Sequence, residues 1–214
     1  MKAIVIATKE SRSLQVLLTS INAYVPEDVV LYIAGQERWG IGRHITTIPN
    51  TATNYGDAYN AIVHEAFKKY DEIIVANDDI VLTPNSYKHL EQDVKILKAQ
   101  SDKLGWVVAR ADYVRPNQIA ARLDPNRIYE TIRCSPLFGY VTKQAWADYP
   151  PINWYSDDVQ CLDMLNEGHN HFISRSYVHH AGSQTIGMDN SANHLAAEPW
   201  IKENRPELHK EWYK

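Results

Sequence analysis

The stretch EIIVANDDIVLTP, residues 72–84, constrains the fold of this chain more than any other. Its apolar run, 73–76, is too short for a helix and rich in β-branched residues, so it predicts a buried strand. The run ends in Asn77, Asp78 and Asp79. Carboxylates at the end of a buried strand are costly unless a cation meets them, and ligands of open α/β sheets bind at that end. Taken alone, the segment fits an acidic turn and a metal site equally well.

Short apolar runs alternate with helical patterns along the chain. Further runs that predict strands lie at 3–8, 29–34, 45–48, 104–109, 136–142 and 171–174. Helices are predicted after residue 11, over 58–69 with Asp57 as a candidate cap, over 87–99, over 143–147 and from Asp157. All-apolar strands are typical of a sheet covered on both faces, and the strand–helix–strand order predicts parallel strands. The predicted fold is therefore α/β, with a mostly parallel central sheet flanked by helices.

Composition places the chain among globular proteins with a substantial core. It has 214 residues, 44% of them hydrophobic and 22% charged, and no apolar stretch reaches the ~18 residues of a membrane span. The two cysteines form no CxxC pair, which indicates neither a zinc site nor a disulfide framework and favours a cytoplasmic location. The formal net charge of −4 argues against a broad nucleic-acid-binding surface. We expect one domain over 1–186 and a C-terminal tail, 187–214, that packs on it.

Two further segments place polar groups at the ends of apolar elements. Asp157 and Asp158 open a helix, where they would also complement the helix dipole. His179 and His180 are consecutive on a predicted strand, so they point to opposite faces and at most one can serve a given site. An Asp and a His from different segments could share a divalent cation of the manganese or magnesium type. A separate carboxylate at the helix start could then act as a general base.

The stretch from Arg110 to Arg133 shows no regular period and is predicted to be a long excursion from the sheet, a kind of segment that is often functional. Five arginines are scattered along it: Arg110, Arg115, Arg122, Arg127 and Arg133. One of them could meet a phosphate, because a planar guanidinium fork fits that group well. The sequence does not choose among the five.

Five segments, in order, resemble motifs of the GT-A glycosyltransferases, especially the large inverting family 2 that includes many bacterial rhamnosyl- and glucosyltransferases. The segments are NYGDAYNAIVHEAF, VANDDIVLTPNSY, SPLFGYVTKQAW, SDDVQCLDMLNEGHNHF and VHHAGSQT. Each motif is unspecific by itself, but the resemblance runs in register from about residue 1 to 185. It implies a GT-A fold with a Rossmann-like sheet, in a small bacterial or phage member of the family.

The resemblance also implies roles for individual residues. Asp79 and His180 would hold Mn²⁺ or Mg²⁺, with His179 as the fallback ligand. Asp158 would be the catalytic base, although Asp157 stands where the family has Glu, so that either acid could serve.

The nucleotide-sugar site implied by the resemblance draws on three parts of the chain. Its residues would be Thr8, Glu10, Asn54, Gly56, Asp57, Asn60, Asn77 and Asp78. The family usually shows Pro-Thr-Tyr-Asn after the first strand, whereas this chain has Ala-Thr-Lys-Glu at 7–10. Recognition of the nucleotide base is therefore left open.

The implied activity is transfer of a hexosyl or pentosyl group from a nucleoside diphosphate sugar, with a UDP-sugar favoured, to an acceptor hydroxyl with inversion. The acceptor would be a glycan or another hydroxyl compound, with a modified DNA base as an alternative. A nucleotidyltransferase of the same fold is a second hypothesis, disfavoured because residues 8–13 lack the glycine-rich loop of those enzymes. A non-catalytic nucleotide-sugar-binding module is the third.

Overall fold

The computed structural model describes residues 2–9, 11–35, 43–181 and 191–213. Within these ranges the strands are β1 (Ala3–Ala7), β2 (Val30–Ala34), β3 (Ile45–Ile48), β4 (Glu72–Asn77), β5 (Ile80–Leu82), β6 (Leu104–Ala111), β7 (Tyr129–Thr131), β8 (Phe138–Thr142) and β9 (Asn170–His180). The helices are α1 (Ser11–Tyr24), α2 (Tyr55–Ala66), α3 (Ser86–Lys98), α4 (Ser156–Asn166), α5 (Ser191–Asn204) and α6 (Pro206–Trp212). The α/β prediction is confirmed.

All nine described strands form one mixed sheet, in the order β3-β2-β1-β4-β8-β6-β9-β5, with β7 pairing with β9. β1, β2, β3 and β4 pair in parallel, and β6 pairs in parallel with β9. β8 lies antiparallel between β4 and β6, so these six strands point in one direction and β5, β7 and β8 in the other. The sheet is therefore mostly parallel, and the carboxyl ends of six strands share one edge.

Helices cover both faces of the sheet, which explains why the strands read as continuous apolar runs. α1 and α3 pack on one face through residues such as Leu17 and Leu90. α2 and α4 pack on the other through residues such as Ile62 and Met164. Every residue of β1 and of β6 is buried, as expected for strands that contact a helix layer on each side. The buried area on both faces fixes the register of the strands.

The start of α2 differs from the sequence prediction. The helix begins at Tyr55, three residues before the predicted start at 58, and its N-cap is Asn54. The Asn54 side chain accepts a hydrogen bond from the backbone N–H of Asp57 at 2.8 Å, so Asp57 is not the cap. Gly56 lies so close to the chain at Pro150 that an added Cβ would collide with the Pro150 carbonyl oxygen.

Two other parts of the chain also differ from prediction. Residues 143–145 form only a turn after β8, so the short helix predicted over 143–147 is wrong. The strand predicted over 171–174 is part of the eleven-residue β9, which runs on to His180. The C-terminal residues form α5 and α6, which pack against Ile152 and Val159. The predicted boundary between 186 and 187 lies outside the described residues and stays a prediction.

The long excursion after β6 is ordered around a buried arginine. It contains two short 3₁₀ turns, at Pro116–Gln118 and Ala120–Arg122, and the strand β7. Arg110 is 2% exposed and donates hydrogen bonds to the carbonyl oxygens of Asp124 and Arg127 at 2.8 Å each. This guanidinium therefore holds the excursion to the sheet. None of the helices in the described ranges is both long enough and apolar enough to span a bilayer.

Candidate active site

A cleft of about 200 Å³ opens at the edge where β1, β4 and β9 end. Its walls include Thr8 after β1, Asn77 at the end of β4 and His180 at the end of β9. The N-terminus of α2 closes one side through Asn54 and Tyr55. The carboxyl edge of parallel strands is where ligands bind in open α/β sheets, so the topology alone marks this cleft as the candidate site.

Asp79 and His180 meet in this cleft although 101 positions separate them in sequence. The antiparallel pairing of β5 with β9 sets Ile80 opposite His180 and so brings the two side chains together. His180 Nε2 lies 3.2 Å from Asp79 Oδ2, and the two side chains are 10% and 9% exposed. Burial opposes the charged imidazole, but the hydrogen bond and charge of Asp79 raise the pKa of His180 above its usual value.

The hydrogen bonds of this pair fit a divalent cation. His180 Nδ1 donates to the carbonyl oxygen of Tyr113, which leaves Nε2 facing Asp79 as the nitrogen that can bind a metal. Asp79 Oδ1 is buried and has no hydrogen-bond partner among the described residues. A buried carboxylate oxygen without a partner is costly. One carboxylate and one imidazole form a donor set suited to Mn²⁺, and to Mg²⁺ with more difficulty.

His179 points away from Asp79, as expected for consecutive residues of a strand. Its ring pairs with Asp112, and its side chain is 54% exposed. The same Asp112 accepts a hydrogen bond from the backbone N–H of His180 at 2.8 Å. The structure therefore places His180, and not the fallback His179, in the cleft.

The other two residues of the Asn-Asp-Asp turn also line the cleft. Thr8 donates its hydroxyl hydrogen to Asp78 Oδ2, and both residues are buried. This contact joins the ends of β1 and β4. The Asn77 side-chain oxygen accepts from the Tyr59 hydroxyl at 3.3 Å and lies 3.5 Å from that of Tyr55. Thr8, Asn77 and Asp78 are thus brought together beside Asp79.

A cluster of tyrosines forms the wall that sequence reasoning missed. The ring centroids of Tyr55 and Tyr59 are 4.5 Å apart, and that of Tyr149 lies 5.3 Å from Tyr55. Burial raises the pKa of Tyr55 and Tyr59 far above the usual value, so both stay protonated donors. The signal was available, because tyrosines at i and i+4 share a helix face that is suited to stacking.

Three further residues of the implied nucleotide-sugar site, Gly56, Asp57 and Asn60, lie outside the cleft. Asn60 exchanges two hydrogen bonds of 2.9 Å with the backbone of Tyr149. Asp57 is exposed and accepts from the Asn54 amide at 2.7 Å, while Gly56 packs against Pro150. The contacts of all three residues lie within the start of α2 or between α2 and the loop at residues 149–150, so their observed role is structural. Glu10 lies outside the described residues.

Asp157 and Asp158 line a second cleft of about 380 Å³ beside the first. The two clefts share Tyr55, Asn77, Asn153 and His180 as wall residues. An occupant of one cleft therefore lies next to an occupant of the other. The N-terminus of α4 supplies the two acids, and the preceding Tyr155 turns the chain with a left-handed φ of 66°.

Arg115 from the excursion contacts both acids. Its Nη1 donates to Asp158 Oδ1 at 2.9 Å, and its Nη2 donates to Asp157 Oδ2 at 2.9 Å and to Asp158 Oδ2 at 3.2 Å. Ser135 donates to Asp157 Oδ2 at 2.9 Å. Burial raises the pKa of Asp157 above its usual value, against the opposing charge of Arg115. Arg115, one of the five arginines that the sequence offered as phosphate ligands, therefore contacts carboxylates within the protein.

Comparison of the structure with known proteins identifies the architecture. S. aureus TarS (residues 1–349) superposes with a TM-score of 0.59 over 97% of this chain and 73% of its own, at 10% identity. GalNAc-T7, in a structure with UDP, GalNAc and Mn²⁺, superposes with a TM-score of 0.61 over 84% of this chain and 43% of its own, at 12% identity. The fold is the GT-A fold of glycosyltransferases. No protein-family model and no curated protein sequence matches the chain.

At 10–12% identity the likeness to these two structures shows the GT-A fold and not the reaction. The chain spans less than half of the GalNAc-T7 chain. Activity therefore has to be argued from the side chains of this protein. Those side chains form an Asp–His pair that could bind a cation, a tyrosine-lined cleft and an adjoining cleft with two carboxylates.

Proposed function

We propose that the protein is a metal-dependent glycosyltransferase that moves a sugar from a nucleoside diphosphate to an acceptor hydroxyl. The observation that carries this proposal is the Asp79–His180 pair, with a carboxylate oxygen that has no partner in the described part of the chain, in a cleft that opens directly onto Asp157 and Asp158. A donor held in the first cleft would present its sugar to the second. The UDP and Mn²⁺ bound to GalNAc-T7 support a UDP-sugar donor and manganese.

Each wall of the first cleft has a proposed task in holding the donor. Asp79 and His180 would ligate Mn²⁺ or Mg²⁺, which when bound neutralises a diphosphate and stabilises it as a leaving group. Asn77 and Asp78 would hydrogen-bond the ribose, diphosphate or sugar, and Thr8 keeps Asp78 in place. Tyr55, which is partly exposed and is backed by the buried Tyr59, offers a ring face on which a planar base can stack.

The second cleft would supply the general base. A carboxylate has about four lone-pair positions. Asp157 uses three of them, on Arg115, Ser135 and the backbone N–H of Asp158. From the described residues Asp158 accepts two hydrogen bonds, both from Arg115, and so keeps more capacity for an acceptor hydroxyl than Asp157 does. Asp158 would take the hydroxyl proton while the oxygen attacks the anomeric carbon opposite the departing diphosphate, and this attack inverts the configuration.

The lining of the second cleft favours a glycan over DNA as the acceptor. Tyr113, Trp154 and Tyr155 line it, and aromatic rings of this kind stack on sugar rings. DNA would need a contiguous basic surface. Within the described ranges the excursion does not form one, because Arg110 is buried and Arg115 and Arg133 face Asp158. A modified DNA base therefore remains the minor alternative.

A thermal-shift experiment tests the donor half of this proposal. UDP, GDP and CDP are each added with Mn²⁺, with Mg²⁺ or with EDTA. We expect UDP with Mn²⁺ to raise the melting temperature of the wild type, and Asp79→Ala and His180→Ala to abolish that increase. His179→Ala is the matched control and keeps it, since the neighbouring ring pairs with Asp112 outside the cleft. An equal metal-dependent shift in Asp79→Ala and the wild type would refute the metal site.

A turnover assay tests the reaction itself. UDP-sugars and GDP-sugars are incubated with the protein and Mn²⁺, and nucleoside diphosphate release and the product anomer are measured. Release with an inverted product supports the proposal. Binding without release would identify a non-catalytic module. Release of pyrophosphate from a nucleoside triphosphate and a sugar phosphate would identify a nucleotidyltransferase.

A further inference from the structure

Arg115 contacts both acids of the second cleft through its planar guanidinium fork. The fork spans both oxygens of Asp158 at 2.9 and 3.2 Å and reaches Asp157 at 2.9 Å. The three side chains are 12–22% exposed, so solvent screens the contacts only in part. Bidentate arginine–carboxylate pairs fix the geometry of the carboxylate as well as its charge.

The segment that carries Arg115 is braced from two sides. Pro116 follows directly, and Arg115 has the extended backbone that a following proline imposes. Gln118 is fully buried and donates to the carbonyl oxygens of Ala109 at 2.7 Å and Ser135 at 2.8 Å. Arg115 Nε also donates to Ser135 Oγ at 3.0 Å. The guanidinium is therefore held in place before any acceptor arrives.

We propose that Arg115 is the positioning residue of the catalytic base, holding the Asp158 carboxylate aimed at the acceptor while it fixes Asp157 in place. This inference rests on the proposed function. In the reaction the acceptor O–H bond breaks, its proton passes to Asp158, the new bond to the anomeric carbon forms and the bond to the diphosphate oxygen breaks. Arg115 stays protonated throughout, because a guanidinium does not titrate in this range.

Removing the guanidinium leaves two neighbouring carboxylates without their shared counter-charge. Two adjacent negative charges favour protonation of one of the carboxylates, so a variant without the guanidinium would lose its general base at the lower end of the working pH range. The other charged and titratable groups that face the pair come from four segments: Arg133 and Cys134, Tyr155, Tyr55, and Tyr149. Arg133 Nε is 3.7 Å from Asp158 Oδ1, beyond hydrogen-bond reach.

The test compares Arg115→Gln and Arg115→Lys with Arg122→Gln, an exposed arginine on the same segment, by UDP release from a UDP-sugar with Mn²⁺ between pH 5.5 and 9. For Arg115→Gln we expect kcat to fall roughly 10- to 100-fold, the cost of a misaligned catalytic group, with the donor KM little changed. The acidic limb of its pH profile moves to higher pH. Arg115→Lys recovers part of kcat and of the pH profile, since it keeps the charge and loses the fork.

Several outcomes would overturn the inference. An unchanged kcat in Arg115→Gln would do so, and so would a raised donor KM at unchanged kcat, which would make Arg115 a donor-binding residue. If Arg115→Gln melts at a lower temperature, Arg115→Lys carries the test, and wild-type kcat in that variant refutes positioning. The UDP–Mn²⁺ thermal shift separates the two levels. A normal shift with unchanged kcat refutes only the role of Arg115, whereas a wild type without the shift refutes the proposed function and this inference together.

Discussion

Neighbouring acidic residues of this protein have different partners, and the partners decide what each acid can do. Asp78 is buried and bonded to Thr8, while Asp79 faces His180 and keeps one oxygen without a partner among the described residues. Asp157 accepts from Ser135 and Arg115, whereas Asp158 is bonded through the Arg115 fork. The sequence shows two adjacent aspartates twice, but only their surroundings separate a structural carboxylate from a reactive one.

The two acids of α4 can be separated by their amide variants. We expect Asp158→Asn to lower kcat roughly 10²- to 10⁴-fold, the usual contribution of a general base, with the UDP–Mn²⁺ thermal shift intact. Asp157→Asn loses part of an Arg115 contact and should lower kcat much less. UDP release measures both effects. A larger loss in Asp157→Asn would move the base to that residue.

At the scale of elements, β9 connects the core to the site. It pairs with β5, β6 and β7, and His180 stands at its carboxyl end. Near its amino end His171 is fully buried, accepts a hydrogen bond from the backbone N–H of Trp106 at 2.9 Å and donates one to the carbonyl oxygen of Cys161 at 2.8 Å. Both ring nitrogens are used, which requires a neutral imidazole.

The buried His171 predicts a pH dependence of stability. Burial lowers the pKa of His171 below its usual value of 6.5, so the unfolded chain binds its proton more readily. Its contribution to stability is therefore complete above about pH 6.5 and is lost as the pH falls towards the pKa of the folded state. Each tenfold difference in proton affinity between the unfolded and folded chains is worth about 1.4 kcal/mol of unfolding free energy.

Urea unfolding at pH 7.5, 6.5 and 5.5 measures this effect, and His171→Gln isolates it. His169 has a pKa lowered chiefly by burial and contributes in the same direction, whereas His180 has a raised pKa and contributes in the opposite direction. Both remain in the variant. We expect the free energy of unfolding to fall less steeply with acidification in His171→Gln than in the wild type. Equal slopes would contradict the assignment.

The elements that the sequence predicted well are those with one dominant signal. The apolar runs of β1, β4 and β6 had to be buried on both faces, and the helical spacing of Leu14, Leu17 and Ile21 marked α1. Where signals conflicted, prediction failed. Asn54 and Asp57 are both residue types that cap helices, so the sequence did not decide between them. The close packing of Gly56 against Pro150, which leaves no room for a Cβ, is visible only in the structure.

Tertiary contacts explain what the sequence could not predict. α5 contains Pro199 and only two buried residues among those described, so its pattern is weak, and it is held by packing on Ile152 and Val159. The role of Arg115 depends on the path of a loop that no periodicity describes. The pairing of Asp79 with His180 was accessible only through the resemblance, because residues 101 positions apart carry no mutual local signal.

On the scale of the whole molecule, the C-terminal helices α5 and α6 contact the lining of the second cleft through an aromatic stack. Trp212 stacks on Tyr155 with ring centroids 4.5 Å apart, and Arg133 lies 5.7 Å over the Trp212 ring. Tyr155 has the left-handed backbone that starts α4, a conformation that costs a non-glycine residue energy. The stack therefore supports the residue from which α4 and its two acids begin.

Trp212→Ala tests this connection, with Trp200→Ala on the same helix pair as its control. We expect Trp212→Ala to lower the free energy of unfolding by about 1–3 kcal/mol, less than for a fully buried ring, and also to lower kcat for UDP release. Trp200→Ala should lose stability with kcat kept, because its ring lies beside Arg205. The UDP–Mn²⁺ thermal shift should survive in both. Equal kcat values in the two variants would sink the idea.

The separation of Asp79 from His180 has a consequence for how the protein matures. Because His180 lies on the last described strand of the sheet, the ribosome has to synthesise β9 as well as the turn that carries Asp79 before both members of the pair exist. Strand β9 must then insert between β6 and β5 before the two members can meet. If the pair holds a cation as proposed, affinity for the ion is acquired late in biosynthesis, and a chain that ends before β9 would not bind the proposed donor.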